Sequence, residues 1–205
     1  MPYRTTEKTR KKKDAKRTAM MTAAMRVFAE KGYHAATVRD VVGEADVAIG
    51  TFYFYFPDKE TLFVHLYEET ADFLLQAIEQ ALRTRSELGE QVAHAVQAYV
   101  NLAIYEPAIV QLLLVGGVGA VPALTARRQD FRDRLITIWE RPLSAAIQQQ
   151  LIPDQNSRRA AEAIAGAHDE VILQLLNHTD PEIEAELTVA ELTTFTLRAV
   201  GYKKR

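Results

Sequence analysis

Thr37-Val-Arg-Asp-Val-Val-Gly-Glu-Ala-Asp-Val-Ala-Ile-Gly-Thr-Phe-Tyr-Phe-Tyr-Phe-Pro-Asp-Lys59 is the stretch that decides how this 205-residue chain is read. Thr37 with Asp40 three residues on is a capping box: the hydroxyl takes the orphan amide of Asp40, and the carboxylate reaches back to the cap. A helix therefore starts at Thr37 and ends near Ala45. A short helix is expected at about Ala48 to Phe54, and Pro57-Asp58 closes the module and opens a long helix at Lys59. Upstream, Met21, Ala24, Met25 and Phe28 recur at i, i+3, i+4 and i+7, which predicts a first helix from about Asp14 to Lys31 that stops at Gly32. Helix, glycine, helix, tight turn and short helix is the layout of a helix-turn-helix.

Val38, Val41, Val42, Val47 and Phe52 fall where a compact three-helix core would bury them. Arg39, Ala48, Ile49, Gly50 and Thr51 are left outside, so the outer side of the third helix is small or uncharged. A helix that lies in a groove about 12 Å wide needs such a slim surface. Tyr53, Tyr55 and Lys59 lie beside it, with the groups that grip phosphates and set register. Phe52 and Phe56 are expected to point inward.

These residues carry a resemblance. Phe28-Ala-Glu-Lys-Gly-Tyr-His-Ala-Ala-Thr-Val-Arg-Asp-Val-Val42 and Ala45-Asp-Val-Ala-Ile-Gly-Thr-Phe-Tyr-Phe-Tyr-Phe-Pro-Asp-Lys-Glu-Thr-Leu62 are similar to the DNA-binding domain of the TetR family of transcriptional regulators, over about residues 15–65. The resemblance implies an all-helical homodimer whose C-terminal domain binds a small molecule and so controls release from a palindromic operator. It implies that Thr37 caps the second helix and touches phosphate, and that Arg39 meets a base edge. Ile49, Gly50 and Thr51 would face the major groove, and Tyr53, Tyr55 and Lys59 would hold the DNA backbone. Ala48 stands where a serine is common and Ile49 where a polar residue often sits. Apolar contact to thymine methyls, Arg39 to guanine and shape readout are expected to make up the difference.

Charge is divided along the chain. Residues 1–59 hold 12 Lys and Arg against 7 Asp and Glu, whereas residues 60–205 hold 13 against 20. The basic excess sits mostly in Arg4, Lys8, Arg10, Lys11, Lys12, Lys13, Lys16 and Arg17. One end is thus suited to a polyanion and the rest is not. The reading divides the chain into a basic flexible arm at 1–13, a DNA-binding head at 14–60 and a ligand-binding and dimerisation domain at 61–205.

Helical periodicity continues to the C-terminus, so the fold class is all-α, with about nine helices. Beyond Ser86 these are expected at about 87–105, 107–114, 122–151, 157–178 and 183–200, with Pro107, Pro122, Pro153 and Pro181 at their starts or breaks. The last two are expected to pair with a two-fold mate through Ala160, Ala161, Ile164, Ala165, Ala167, Leu175, Leu176, Leu187, Leu192, Phe195 and Val200. The competing view is that these residues close the monomer core. Phe73, Tyr99, Tyr105, Phe131 and Trp139 are candidate lining for a lipophilic effector, with His94 and His168 as its first polar contacts and Asp169 and Glu170 adjacent. Effector binding is expected to tilt the fourth helix and so change the spacing of the two heads.

Other classes find little support. The chain has no cysteine, which excludes disulfides, thiolate metal sites and a cysteine nucleophile and suits a cytoplasmic location. Five histidines lack metal-ligand spacing, no G-x-S-x-G is present, and the Gly116-Gly-Val-Gly run has Pro122 where a dinucleotide fingerprint needs its third glycine. No enzyme, cofactor or metal is expected. The longest apolar run, Leu112 to Leu124, is 13 residues and is interrupted by glycines and Pro122, too short to span a bilayer, and no secretory leader is read. The reading is therefore a regulator, a repressor released by a lipophilic effector. Its alternative is a helical DNA-tethered interaction module that senses nothing.

Overall fold

The computed structural model describes residues 7–85, 87–116, 119 and 121–203, and side chains from residue 15 onward. Among the described residues there are nine α-helices and no strand. They are α1 (Glu7–Ala35), α2 (Val38–Glu44), α3 (Ile49–Tyr55), α4 (Lys59–Arg83), α5 (Leu88–Tyr105), α6 (Pro107–Leu114), α7 (Leu124–Gln148), α8 (Ser157–Leu176) and α9 (Pro181–Ala199).

The first helix starts seven residues before the expected Asp14. The described part of the 1–13 arm is thus helical, because its run of Lys, Arg and Glu contains neither glycine nor proline to stop a helix. Residues 1–6 lie outside the described residues. The expected stop at Gly32 is a sharp kink with φ at +72°, which a side chain would strain, and one more turn follows it. α7 starts at Leu124 rather than Pro122, since Pro122 and Ala123 form the turn that leads into it. It then runs through Pro142, whose cost of about 3 kcal/mol is outweighed by buried Ile138, Trp139, Leu143 and Ala146 on either side.

α1, α2 and α3 form the head, with Met20, Ala24, Val27, Phe28, Val41, Val42, Phe52 and Phe56 in its core. α4 leaves the head and packs in the body on α5, α6 and α7. α8 lies against α7, and α9 against α5 and α8. α6 returns to touch α1, so the head meets the body through both α4 and α6.

The apolar residues expected at a dimer surface divide. Ala161, Ile164, Ala165, Leu175, Leu192 and Val200 are buried within this one chain, which corrects their assignment to an interface. Each helix has an apolar stripe wide enough to serve its own chain first. Leu187 and Phe195 remain exposed, joined by Ile183 at 76% exposure and by Val171. A groove of about 610 Å³ runs along the outer face of α9 past Ala190, Thr194, Phe195 and Arg198.

Candidate nucleic-acid interface and a buried polar cluster

The head is set by local chemistry. Thr37 caps α2: its Oγ1 accepts from the Asp40 amide at 3.2 Å, while Asp40 accepts from the Thr37 amide at 2.8 Å and from its hydroxyl at 2.7 Å. Lys31 donates to the same carboxylate at 2.8 Å. These bonds, first that from Lys31 and then those from Thr37, hold the Asp40 pKa down to about 2. α2 ends at Ala45, and Asp46 turns the chain in the left-handed region at φ +50°. Asn and Asp tolerate this conformation best after glycine. α3 follows with Ala48 as its N-cap, and no side chain satisfies the free amides there.

On α3, Phe52 is fully buried and the C-cap Phe56 nearly so, against each other and against the rest of the head. The same short helix turns Ile49, Gly50 and Tyr53 to solvent, with Thr51 half-buried at the edge. Arg39 and Ala48 are exposed beside them. Tyr55 is half-buried against the head core, so less of it is offered to a partner than of Tyr53. Phe54, 64% exposed, is a further large apolar group on this surface. An added Cβ at Gly50 would meet nothing within 4 Å, so glycine there keeps the outer face low without being sterically required.

Lys59 departs from its expected role. Its Nζ donates to the Tyr33 carbonyl at 2.7 Å and the Ala36 carbonyl at 2.9 Å, and it lies 4.3 Å from the Tyr33 ring centroid. Two of its three N–H bonds are thus committed to the chain end of α1. Lys59 is a strut that ties the head to the first turn of α4, with at most one N–H left for phosphate. Phe28, Tyr33 and Phe63 close the joint below it, with Phe28 and Phe63 edge to face at 4.7 Å.

In the body, four of the seven effector candidates come together. Tyr99, Phe131, Trp139 and His168 are all buried between α4, α5, α7 and α8. Phe73 is 52% and Tyr105 75% exposed, on outer surfaces, and His94 accepts from Arg85 Nε at 2.7 Å at the start of α5. These three are not brought to the interior, which corrects their placement. Helical period assigns a residue to a face, but neighbouring helices decide which face is inside.

Around the four lie residues that the sequence reading missed: Tyr67, Arg128 and Arg132, with Asp169 foreseen only as a neighbour of His168. Tyr99 donates to Asp169 Oδ1 at 2.9 Å, and Arg132 pairs with its Oδ2. Burial pushes the Asp169 carboxyl up, against the pull of Arg132 and its hydrogen bonds. Arg128 lies over the Tyr67 ring at 5.4 Å and donates to the Leu113 carbonyl at 3.3 Å and to the Gly116 carbonyl. Its Nε and the Tyr67 hydroxyl are buried with no partner, as is His168 Nδ1. An unpaired buried polar group costs about 1–3 kcal/mol. Burial raises the Tyr67 phenol to about 12 and lowers the His168 imidazole to about 4. His168 Nε2 bonds the Thr196 hydroxyl at 2.8 Å, joining α8 to α9, and its ring stands edge-on to Trp139 at 5.0 Å. The spacing of Arg128 and Arg132, four residues apart on one helix, is the signal that could have revealed the pair.

Among the described residues no helix is long and apolar enough to cross a membrane, and no group of three or more His, Asp or Glu is placed to hold a metal.

Comparison with known proteins fits the head. Residues 20–66 match the family profile described as bacterial regulatory proteins, tetR family. The chain is 30% identical over 92 residues to the fatty acid metabolism regulator protein of Bacillus subtilis, 45% of this chain and 47% of that protein. It is also 30% identical over 89 residues to the transcriptional activator FasR of Mycolicibacterium smegmatis, 43% of this chain and 41% of that one. The alignments thus span less than half of these relatives. Among solved structures, a tetR-family regulatory protein from Rhodococcus RHA1 superposes with a TM-score of 0.75 at 25% identity, over 92% of this chain and 98% of that one. FadR from Bacillus subtilis, solved in complex with stearoyl-CoA, shares the fold at a TM-score of 0.75 and 22% identity, over 86% of this chain and 97% of its own. Residues 20–66 thus carry a domain of the tetR family of bacterial regulatory proteins, on an all-helical body that shares its fold with solved tetR-family proteins.

Proposed function

We propose that this chain is a DNA-binding transcriptional regulator that works as a homodimer and changes its operator affinity when its body binds an acyl compound. One observation carries the DNA-binding part: α3 buries Phe52 in the head while presenting Ile49, Gly50 and Tyr53 on a slim outer face. A single head of this size contacts too few bases to be selective, and pairing two at about 34–36 Å restores specificity. Residues 14–60 serve as the head and 61–205 as the sensing and pairing domain. The basic residues of 1–13 add affinity that does not depend on sequence.

Pairing is assigned to the exposed side of α8 and α9, where Val171, Ile183, Leu187 and Phe195 leave an apolar stripe uncovered in the single chain. Stripes of this kind on two copies can cover each other through a two-fold axis. The acyl class is supported by the names of the relatives, a fatty acid metabolism regulator and a FadR solved with stearoyl-CoA. Release of the operator by the effector is the preferred sense of the switch, and the strut at Lys59 gives it a route. α4 cannot tilt without carrying the end of α1 and the head with it.

A second reading has its own support: the body core is well filled by Trp139, Tyr67, Tyr99, Leu74 and Ile78, and the clefts described on the body open to solvent. A DNA-tethered module without a sensor would look like this. The test is fluorescence anisotropy with duplexes selected from a random pool, with and without decanoyl-CoA and decanoate. Tight, salt-dependent binding of a palindrome that weakens with either compound supports the regulator. Binding indifferent to both supports the module, and no binding to any duplex refutes both.

A further inference from the structure

We infer that Tyr67 and Arg128 form the polar end of the effector site, that they take an acceptor oxygen carried on an acyl chain, and that this contact loosens the end of α6 that faces the head. The inference rests on the sensing part of the proposed function.

The Tyr67 hydroxyl and Arg128 Nε are both buried and both without a partner. Native interiors leave few such groups. The rest of the cluster is occupied: Tyr99 and Arg132 take the two oxygens of Asp169, and the terminal nitrogens of Arg128 reach the carbonyls of Leu113 and Gly116. What remains open is an N–H of a guanidinium and the O–H of a phenol, which is protonated at neutral pH. Two donors fit one acceptor oxygen, in a carboxylate or a thioester carbonyl. An amine would find one acceptor and would sit beside a fixed cation.

Space leads to Tyr67, over whose ring Arg128 lies. A cleft of about 400 Å³ opens between α4 and α7, with Tyr67, Ala71 and Phe131 in its lining beside the ion-paired Glu68, Arg127, Asp72, Arg134 and Asp130. Its size lies within the range of small-molecule sites.

The consequence follows from the other bonds of Arg128. Its two terminal nitrogens hold the Leu113 carbonyl in the last turn of α6 and the Gly116 carbonyl just beyond it, and α6 packs on α1 across a small cleft lined by Phe28, Tyr33, Leu112 and Gly116. The turn that leaves α6 is tight, since a Cβ on Gly116 would fall 2.6 Å from the Leu112 carbonyl oxygen. An occupant that draws the guanidinium toward itself weakens the cap on α6 and passes the change to α1. The two states differ by which oxygen holds Arg128, and this is the differential contact that a ligand needs in order to shift an equilibrium.

The experiment uses the full chain, with decanoate and decanoyl-CoA as separate probes, calorimetry for affinity and anisotropy on a selected operator for response. Tyr67→Phe removes an unpaired hydroxyl, so the ligand-free melting temperature is expected to hold or rise while ligand affinity falls roughly tenfold. Arg128→Lys keeps the charge and loses the fork, and is expected to bind the ligand without releasing the operator. Response to decanoate alone identifies a carboxylate as the partner, and response to decanoyl-CoA alone identifies the thioester carbonyl. Unchanged ligand affinity in Tyr67→Phe overturns the site, and full release in Arg128→Lys overturns the coupling. A wild-type chain indifferent to both probes refutes the sensing reading itself.

Discussion

Acidification should destabilise this protein through His168, and the size of the effect can be worked out. The imidazole lies in the core between α8, α9 and Trp139, nearly free of solvent contact, and burial lowers its pKa from its ordinary 6.5 to about 4. Between those two values the unfolded chain binds a proton that the folded chain refuses. The contribution is therefore fully present above pH 6.5, is lost as pH falls, and is gone near pH 4. A gap of about 2.5 pH units at ~1.36 kcal/mol each gives roughly 3 kcal/mol, a large part of the 5–15 kcal/mol typical of a domain. Asp169, whose carboxyl is raised by burial, works in the opposite sense, and Asp40 and Asp58, both lowered, lose their contributions only at still lower pH. A variant isolates the histidine. His168→Gln can keep a hydrogen bond to Thr196 and does not titrate. Urea unfolding followed by the fluorescence of Trp139, the one tryptophan, at fixed protein concentration should show wild type losing about 3 kcal/mol more than the variant between about pH 7 and pH 4. Equal losses in the two chains would refute the reasoning.

Other expectations concern the head and its joint. Ala48→Ser supplies the missing cap of α3 and should stabilise the head by about 1 kcal/mol, read as a higher urea midpoint. Asp46 sits at φ +50°, so Asp46→Gly should be neutral or stabilising and Asp46→Val should cost on the order of 1–3 kcal/mol by the same assay. Lys59→Met leaves the carbonyls of Tyr33 and Ala36 without their shared donor and should cost about 1–3 kcal/mol. It should also blunt the effector response measured by anisotropy. Tyr53→Ala should lower operator affinity several-fold while leaving the melting temperature within a degree or two, because the ring is exposed.

What the sequence made legible was chemistry that acts over three or four residues. The Thr37–Asp40 box, the Asp58 cap and the inward Phe52 and Phe56 all follow from local spacing, and the structure has each of them. Chemistry that joins distant segments was not legible. Lys59 reads as a phosphate contact because its partners, Tyr33 and Ala36, lie 26 and 23 residues away. The buried cluster draws on α4, α5, α7 and α8, so Tyr99 and His168 were singled out while Tyr67, Arg128 and Arg132 were not. Phe73 and Tyr105 show the converse error: large aromatic residues on amphipathic helices, placed by their neighbours on the outside.

The central claim is that two copies of α3 engage one duplex together. Titrating a selected palindromic duplex with the purified chain, and reading stoichiometry and affinity by fluorescence anisotropy at several salt concentrations, tests it most directly. The account predicts two chains per duplex and an affinity that falls steeply with salt. One chain bound per duplex, or none at low ionic strength, would contradict it.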